Sequence, residues 1–459
     1  MSAWRSSWLV AVALAAGILA MPVMSTTEIE VFPGLTYLAL EWLAAAGAIL
    51  GWLLTDRIAA NRRPAWLLVG AAVLILIIGS GLATTQPTAA GVIVSGAVGG
   101  SLVRGGRRRS RDPAVLVALA TMSTWIAHDV SHVLHAPMRD LHSYLAAASD
   151  ELTGHSAYLQ GPLQATPPAS HNPFVYPPFT LPLFEILTAL PLHAAELLWL
   201  TISAAAVLIG LRLIGVRGRW VVVLLAWPVF AIGLSVGNVA AFGFLCFALG
   251  YRFAASLVVG GVFKVQSGIP AIWGFREGRY REIAIGIALV GLLVVATIPV
   301  TGWEAWGEWV RALGYFDQTV DRLDMRGASL TRYLPSALVV LVGVVAIGVA
   351  LLRRGRNGLA RFGLVSIVLS PTLYVHGFGP LLPGAMTLRP ALFWFVSAIV
   401  AWDLWGLLPV SGGWVAMAIV AAALLRSRDE DLCGPVDLSD EAADLHPVGA
   451  GRLVWPAPV

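Results

Sequence analysis

A chain of 459 residues that is 58% hydrophobic and only 12% charged is not an ordinary soluble domain, in which about a quarter of the residues are charged. Its mean hydropathy of +0.79 comes from continuous apolar runs, which excludes the alternating pattern of a β-barrel. Two cysteines, Cys246 and Cys433, are too few for a disulfide framework, and a formal net charge of +4 gives no footing for a nucleic-acid partner. With ~20 apolar residues needed per crossing, the expectation is an all-α, polytopic transmembrane helical bundle of about 12–15 spans.

In chain order, the first apolar run covers 8–24. Arg5 precedes it, and the run also has the length of a signal peptide core. Further spans are expected at 35–54, 65–84 and 88–103. The run from Arg104 to Arg111, RGGRRRSR, is the strongest positive-inside signal and assigns 104–112 to the cytoplasm. Span 114–134 then runs outward. The polar island 139–180 is therefore expected outside, close to the membrane.

Residues 179–192 are apolar but short and proline-broken, which fits a surface or re-entrant helix. Spans follow at 195–215, 220–236 and 239–250. The stretch 253–275 breaks the simple alternation, because Lys264, Gln266, Gly268 and Pro270 interrupt it. A pair of half-helices accounts for this if the irregular backbone is buried in protein. A span at 283–300, a second external loop at 302–334 and a span at 335–352 come next. Residues 362–425 hold three or four more spans, and 429–459 read as a disordered cytoplasmic tail.

The polar island carries the chemistry. An ionised Asp140 just beyond a span can act as a general base towards a sugar hydroxyl. The same residue also reads as a helix N-cap before LHSYLAAA. His128, His132 and His135 share one helical face, a spacing compatible with a metal or with a polar stripe. FVYPPF (174–179) is stiffened by two prolines, and reads as a rigid junction or as the lining of a groove. Lys264 is costly at membrane depth and faces either a cavity or, by snorkelling, the interface. Trp303, Trp306 and Trp309 suggest an amphipathic helix in the interface. Arg326, Ser329 and Arg332 precede the next span, and His376 sits among apolar residues near a span end.

Together these pieces resemble the GT-C membrane glycosyltransferases, in the branch that uses polyprenyl-phosphate sugars and includes bacterial mannosyl- and arabinofuranosyltransferases. The elements are Asp140, Leu141 and Tyr144; Leu152, Gly154 and Tyr158; Phe174, Tyr176, Pro177 and Pro178; Gly237 and Asn238; Lys264 and Pro270; and Ser370, Pro371 and His376. The chain departs from the pattern in its N-terminal extension of about 110 residues, in Val-Gln after Lys264, and in Gly-Ala before Ser329.

The resemblance implies a four-span extension (1–112), a GT-C-like catalytic membrane module (113–428) and the tail (429–459). It implies inverting transfer of mannose or arabinofuranose from a polyprenyl-phosphate donor to an envelope glycan or glycolipid, on the extracytoplasmic face of the cell membrane. Asp140 is the expected base. Lys264, Arg332 and His376 are the expected phosphate contacts, and Tyr144, Tyr176 and Asn238 the groove. No cofactor and no metal are expected. The alternative is a transporter or flippase of a lipid-linked glycan, which would use the same buried lysine without a base.

Overall fold

The computed structural model describes residues 138–161, 173–216, 220–225, 227–322, 326–388, 390–400 and 411–427. The four expected N-terminal spans, span 114–134, the histidines 128, 132, 135 and 171, and the tail all lie outside these residues. Every named element is helical. Chain order gives α1 (Arg139–Leu152), a 3-10 turn (Pro178–Thr180), α2 (Leu181–Thr188), α3 (Leu192–Leu213), α4 (Trp220–Leu225), α5 (Pro228–Ser235) and α6 (Ala240–Gly250). Then come α7 (Ala255–Phe263), a 3-10 turn (Val265–Gly268), α8 (Ala271–Arg276), α9 (Tyr280–Thr301), α10 (Glu304–Arg322) and a 3-10 turn (Leu330–Arg332). The series ends with α11 (Ser336–Leu351), α12 (Gly355–Val368), a 3-10 segment (Val375–Leu381), α13 (Leu382–Ala385), α14 (Pro390–Ile399) and α15 (Gly412–Arg426).

Prolines open several of these helices, at Pro191, Pro228 and Pro335. A proline there loses no intrahelical bond, and its fixed φ suits the first turn. The same rule breaks the span expected at 220–236. Trp227 precedes Pro228 and is held extended (φ −61°, ψ 132°), because the proline ring disfavours the helical region for its predecessor. The indole Nε1 of Trp227 then donates to the Ser397 carbonyl at 2.8 Å and ties this break to α14.

The interruption at 253–275 takes the form of two half-helices, as the sequence suggests. α7 stops at Phe263, Lys264 is extended (φ −152°, ψ 128°), and the chain re-forms as a short 3-10 turn before α8. Gly261 and Gly268 pack backbone to backbone, so that a Cβ on Gly261 would lie 3.3 Å from the Gly268 Cα. Glycine is what lets the turn fold back so closely.

Among the described residues, two helices, Leu192–Leu213 and Tyr280–Thr301, are long and apolar enough to cross a membrane; Ser336–Leu351 and Gly412–Arg426 are apolar but shorter. Ile285, Leu289, Leu292 and Val295 on α9, and Val340 and Val344 on α11, are exposed. Continuous apolar faces of this kind fit lipid contact better than water.

Three apolar cores run through the fold. One joins α3, α5, α6 and the C-terminal helices, and a second joins α7, α8, α9 and α12. The third lies beneath α1 and is rich in aromatic rings: Tyr144, Tyr158, Phe174, Tyr176, Phe184 and Trp199. α10 lies along this aromatic core. Trp306 packs on Phe179 with ring centroids 5.8 Å apart, and Trp309 donates to the Val175 carbonyl at 3.0 Å. Only Trp303 of the three tryptophans is exposed. The other two grip FVYPPF, a use that their three-residue spacing does not reveal.

The corner between α5 and α6 places the first turn of α1. Met138 N–H donates to Ser235 O (2.9 Å) and Asp140 N–H to Val236 O (2.8 Å). Gly237 has φ +72°, and a Cβ there would lie 2.8 Å from that of Leu141. Alanine would meet both the left-handed penalty and a clash, so Gly237→Ala should destabilise the protein by about 2–4 kcal/mol. Thermal unfolding of purified protein in detergent reads this out. A loss below about 0.5 kcal/mol, the usual range for an uninvolved surface site, would show that the corner is not closely packed.

Candidate active site

Asp140 is the second residue of α1. The N-cap position belongs to Met138, which is in the left-handed region (φ 53°, ψ 27°), and no side chain caps the helix. The capping reading of Asp140 is therefore corrected. The strained Met138 turns the chain so that the carboxylate faces inward instead of closing its own helix.

The Asp140 carboxylate is buried and held from two sides. Asn238 Nδ2 donates to Oδ2 at 2.6 Å, and Arg139 Nε lies 3.5 Å from Oδ1. Asn238 is oriented in turn, since its Oδ1 accepts from the Ala240 N–H at 2.9 Å at the start of α6. Its amide nitrogen is thereby pointed at the acid. Trp199 Nε1 donates to the Gly237 carbonyl at 2.8 Å and fixes the corner from behind.

Tyr144 lies one turn along α1, and its hydroxyl shares a 3.0 Å hydrogen bond with that of Tyr176. The rings meet edge to face at 5.1 Å. Tyr158 donates to the Tyr176 carbonyl at 3.0 Å. Burial pushes the Tyr144 hydroxyl well above its usual range, with Tyr176 and Asp140 adding to the effect. Burial raises Tyr176 in the same direction, and Asp140 contributes there too, against a lowering hydrogen bond from Tyr144. Both phenols stay protonated at neutral pH and can offer or accept hydrogen bonds, but neither is a base.

Lys264 sits half-buried in the break after α7. The field of Asp140 reaches it, and the fields of Lys264 and Arg139 both reach His376. His376 is buried in the 3-10 segment Val375–Leu381. Its Cβ lies 3.2 Å from where a Cβ on Gly233 of α5 would stand, and its ring stacks on Tyr374 at 5.8 Å. Elements far apart in sequence thus bring Asp140, Asn238, Lys264 and His376 into one electrostatic neighbourhood with Arg139.

Arg332 is placed differently. Its loop is strapped to the segment before His376: Ala328 N–H donates to Leu373 O (2.6 Å), Ser329 Oγ to Ser370 O (2.6 Å) and Thr331 Oγ1 to Pro371 O (3.1 Å). Arg332 Nη1 turns back to the Gly327 carbonyl at 3.4 Å. Gln266 Nε2 donates to Ser370 Oγ at 3.0 Å and joins the Lys264 turn to the same strap. Arg332 is linked to the Lys264 and His376 segments through this strap.

The neighbouring carboxylates Asp150 and Glu151 are ten and eleven residues further along α1, about 15 Å up the axis at ~1.5 Å per residue. They serve another surface. Burial, then Glu308 and Glu185, raises the Glu151 carboxyl, and Ser156 Oγ donates to Glu308 at 2.6 Å. His142 Nε2 lies 2.7 Å and His193 Nδ1 2.9 Å from the two oxygens of Glu196, on the face of α1 away from Asp140. Asp129 lies outside the described residues.

One residue escaped the sequence reading. Arg139 is a cation in the first turn of a helix, where the macrodipole disfavours positive charge. That local conflict was its one visible signal.

A buried carboxylate with an amide donor and an arginine beside it can accept a proton from a hydroxyl, and the arginine can hold an anion. Residues 174–375 match the model of Glycosyltransferase family 87. The matched stretch begins at Phe174 of FVYPPF and stops one residue before His376. It includes Tyr176, Asn238, Lys264 and Arg332, and it leaves Asp140 and Tyr144 outside. Searches of curated proteins and of solved structures gave no significant match. Over those residues the chain is similar to family 87, a GT-C-like family of membrane glycosyltransferases, and the match supports glycosyl transfer at a membrane.

Proposed function

We propose that the protein transfers a sugar, mannose or arabinofuranose, from a polyprenyl-phosphate donor to an envelope glycan or glycolipid, with inversion, on the extracytoplasmic face of the cell membrane. The observation that carries this reading is the Asp140 carboxylate, buried, gripped by Asn238 and paired with Arg139. The matched family supports the transferase class. The donor and the sugar rest on the motif resemblance and on the site's surplus of positive charge.

The reaction is a single displacement. Asp140 takes the proton of the acceptor hydroxyl as its oxygen forms a bond to the anomeric carbon. The bond from that carbon to the phosphate oxygen breaks, and polyprenyl phosphate leaves with the electron pair. Lys264 and Arg139 offset the charge that grows on the leaving phosphate. His376 offers a hydrogen bond to the same group. Tyr144 and Tyr176 line the groove as neutral donors. Arg332 acts through its loop, which holds the segment before His376.

Asp140→Asn tests the base. Asn keeps the shape and still accepts from Asn238, but it is not basic. The variant should fold as the parent does and lose on the order of 10²–10⁴-fold in transfer rate from a polyprenyl-phosphate sugar. Near-normal transfer would remove the base assignment. The sidedness has its own test. Gln160 is exposed at the end of the first loop and Cys246 is buried. With Cys433 replaced by serine, Gln160→Cys should react with an impermeant thiol reagent in intact cells. Labelling only after lysis would place the site on the cytoplasmic side.

A further inference from the structure

Two turns at the start of α9 and the end of α11 are tied into one rim. Arg276 Nε donates to Leu351 O at 3.1 Å, Trp273 Nε1 to Gly355 O at 2.9 Å, and the Gly355 N–H to Glu277 Oε1 at 3.0 Å. These bonds set Phe275 and Arg276 beside the Leu352–Arg353–Arg354 turn. Arg356 follows at the start of α12, its guanidinium 5.1 Å from the centre of the Tyr251 ring. Glu282 is taken up by Arg279 at 2.6 Å. Arg276, Arg353, Arg354 and Arg356 together outweigh Glu277.

This charge is turned outward. Arg276, Arg353 and Arg354 are exposed, and so are two apolar neighbours, Phe275 (48%) and Leu352 (75%). Water suits the arginines and not the leucine. The edge of a bilayer suits both, since apolar side chains enter the acyl region while cations meet the headgroups.

The rim also lies where lipid would be. α9 begins at Tyr280 and α11 ends at Leu351, and both helices carry exposed apolar faces. Ile283 and Ala350 seat them on the same apolar core. The 22 residues of α9 carry the chain about 33 Å at ~1.5 Å each, close to the thickness of a hydrocarbon core. Beyond it, α10 packs Trp306 on Phe179, at the edge of the aromatic layer beneath α1. An arginine-rich rim is what the cytoplasmic side of a membrane protein carries.

We infer that this rim binds the headgroup of an anionic phospholipid, in the leaflet that α9 separates from the Asp140 site. The guanidinium forks match the phosphate oxygens, and Phe275 and Leu352 meet the upper acyl chain. The chain itself supplies a rival occupant. α15 ends beside the rim, where Asn357 Nδ2 donates to Ser427 O at 3.2 Å, and Asp429, Glu430 and Asp431 follow in sequence. The exposed Phe275 and Leu352 favour the lipid, which answers the charge and the apolar surface together.

The test uses full-length protein in detergent, offered phosphatidylglycerol and phosphatidylcholine of equal chain length, with retained lipid counted by native mass spectrometry. Wild type should retain phosphatidylglycerol in preference. An arginine near anionic headgroups contributes about fivefold in affinity, so Arg353→Gln with Arg354→Gln should cut the preference about tenfold or more. Both side chains are exposed, and thermal unfolding should be unchanged. Arg353→Lys with Arg354→Lys should keep most of the preference, and Arg311→Gln on exposed α10 surface should keep all of it. A preference that survives the paired glutamine change would show that the rim is not the site. Displacement of the lipid by an equal concentration of inorganic phosphate would show a phosphate site without lipid recognition, and the inference would fail. It would fail too if wild type shows no preference. In that case, a preference that appears once Asp429, Glu430 and Asp431 are changed to their amides would identify the acidic run as the occupant.

Discussion

A single hydrogen bond, from the Asn238 amide to Asp140, sets the geometry on which the candidate site depends. It joins the first turn of an amphipathic helix to the corner between two apolar ones, which the Met138 and Asp140 backbone N–H groups also bridge. Its direction is imposed from below, because the Ala240 N–H occupies the other end of the amide. Gly237 permits the approach, and Trp199 holds its carbonyl. The pair Gly-Asn thus divides the work, one residue making room and the next supplying the donor. A buried carboxylate without such a partner would carry a large desolvation cost.

The surrounding structure acts as a mount for this contact. The aromatic layer beneath α1 is stiff, because edge-to-face rings and buried hydroxyl pairs leave few alternative packings. Elsewhere, the strap from Ser329 through Ser370 to Gln266 joins the loop before α11, the Lys264 break and the His376 segment. The aromatic layer and the polar strap are thus braced by separate sets of contacts. The extended backbone at Lys264 is half-buried, and Gln266 beside it is tied to Ser370.

Much of this was legible in the sequence, for identifiable reasons. The half-helices at 253–275 announced themselves because charge and glycine cannot sit mid-span without a purpose. Asp140, Asn238, Lys264 and His376 stand out as polar residues in apolar company, and the structure joins the first two by a hydrogen bond. The break at Trp227 was missed because Pro228 was read by hydropathy alone, although its effect on the preceding residue is local. Trp306 and Trp309 were read as interfacial, since indole spacing cannot distinguish a lipid face from a protein face. Asp140 was half-read as a cap, because the left-handed Met138 that moves the cap upstream has no sequence signature.

The partners in the central hydrogen bond are 98 positions apart. At the roughly 5–20 residues per second of ribosomal synthesis, Asp140 emerges about 5–20 s before Asn238 exists. The His376 segment and its strap come later still. For that interval α1 has no corner to dock on and its aromatic floor is incomplete, because Phe174, Tyr176 and Trp199 are also still to come. The helix that carries the acid must therefore wait as an amphipathic segment, its apolar face covered by lipid headgroups or by the insertion machinery. Assembly of the site is a late event in biogenesis, and a chain halted before Asn238 would present the acid without the structure that gives it direction.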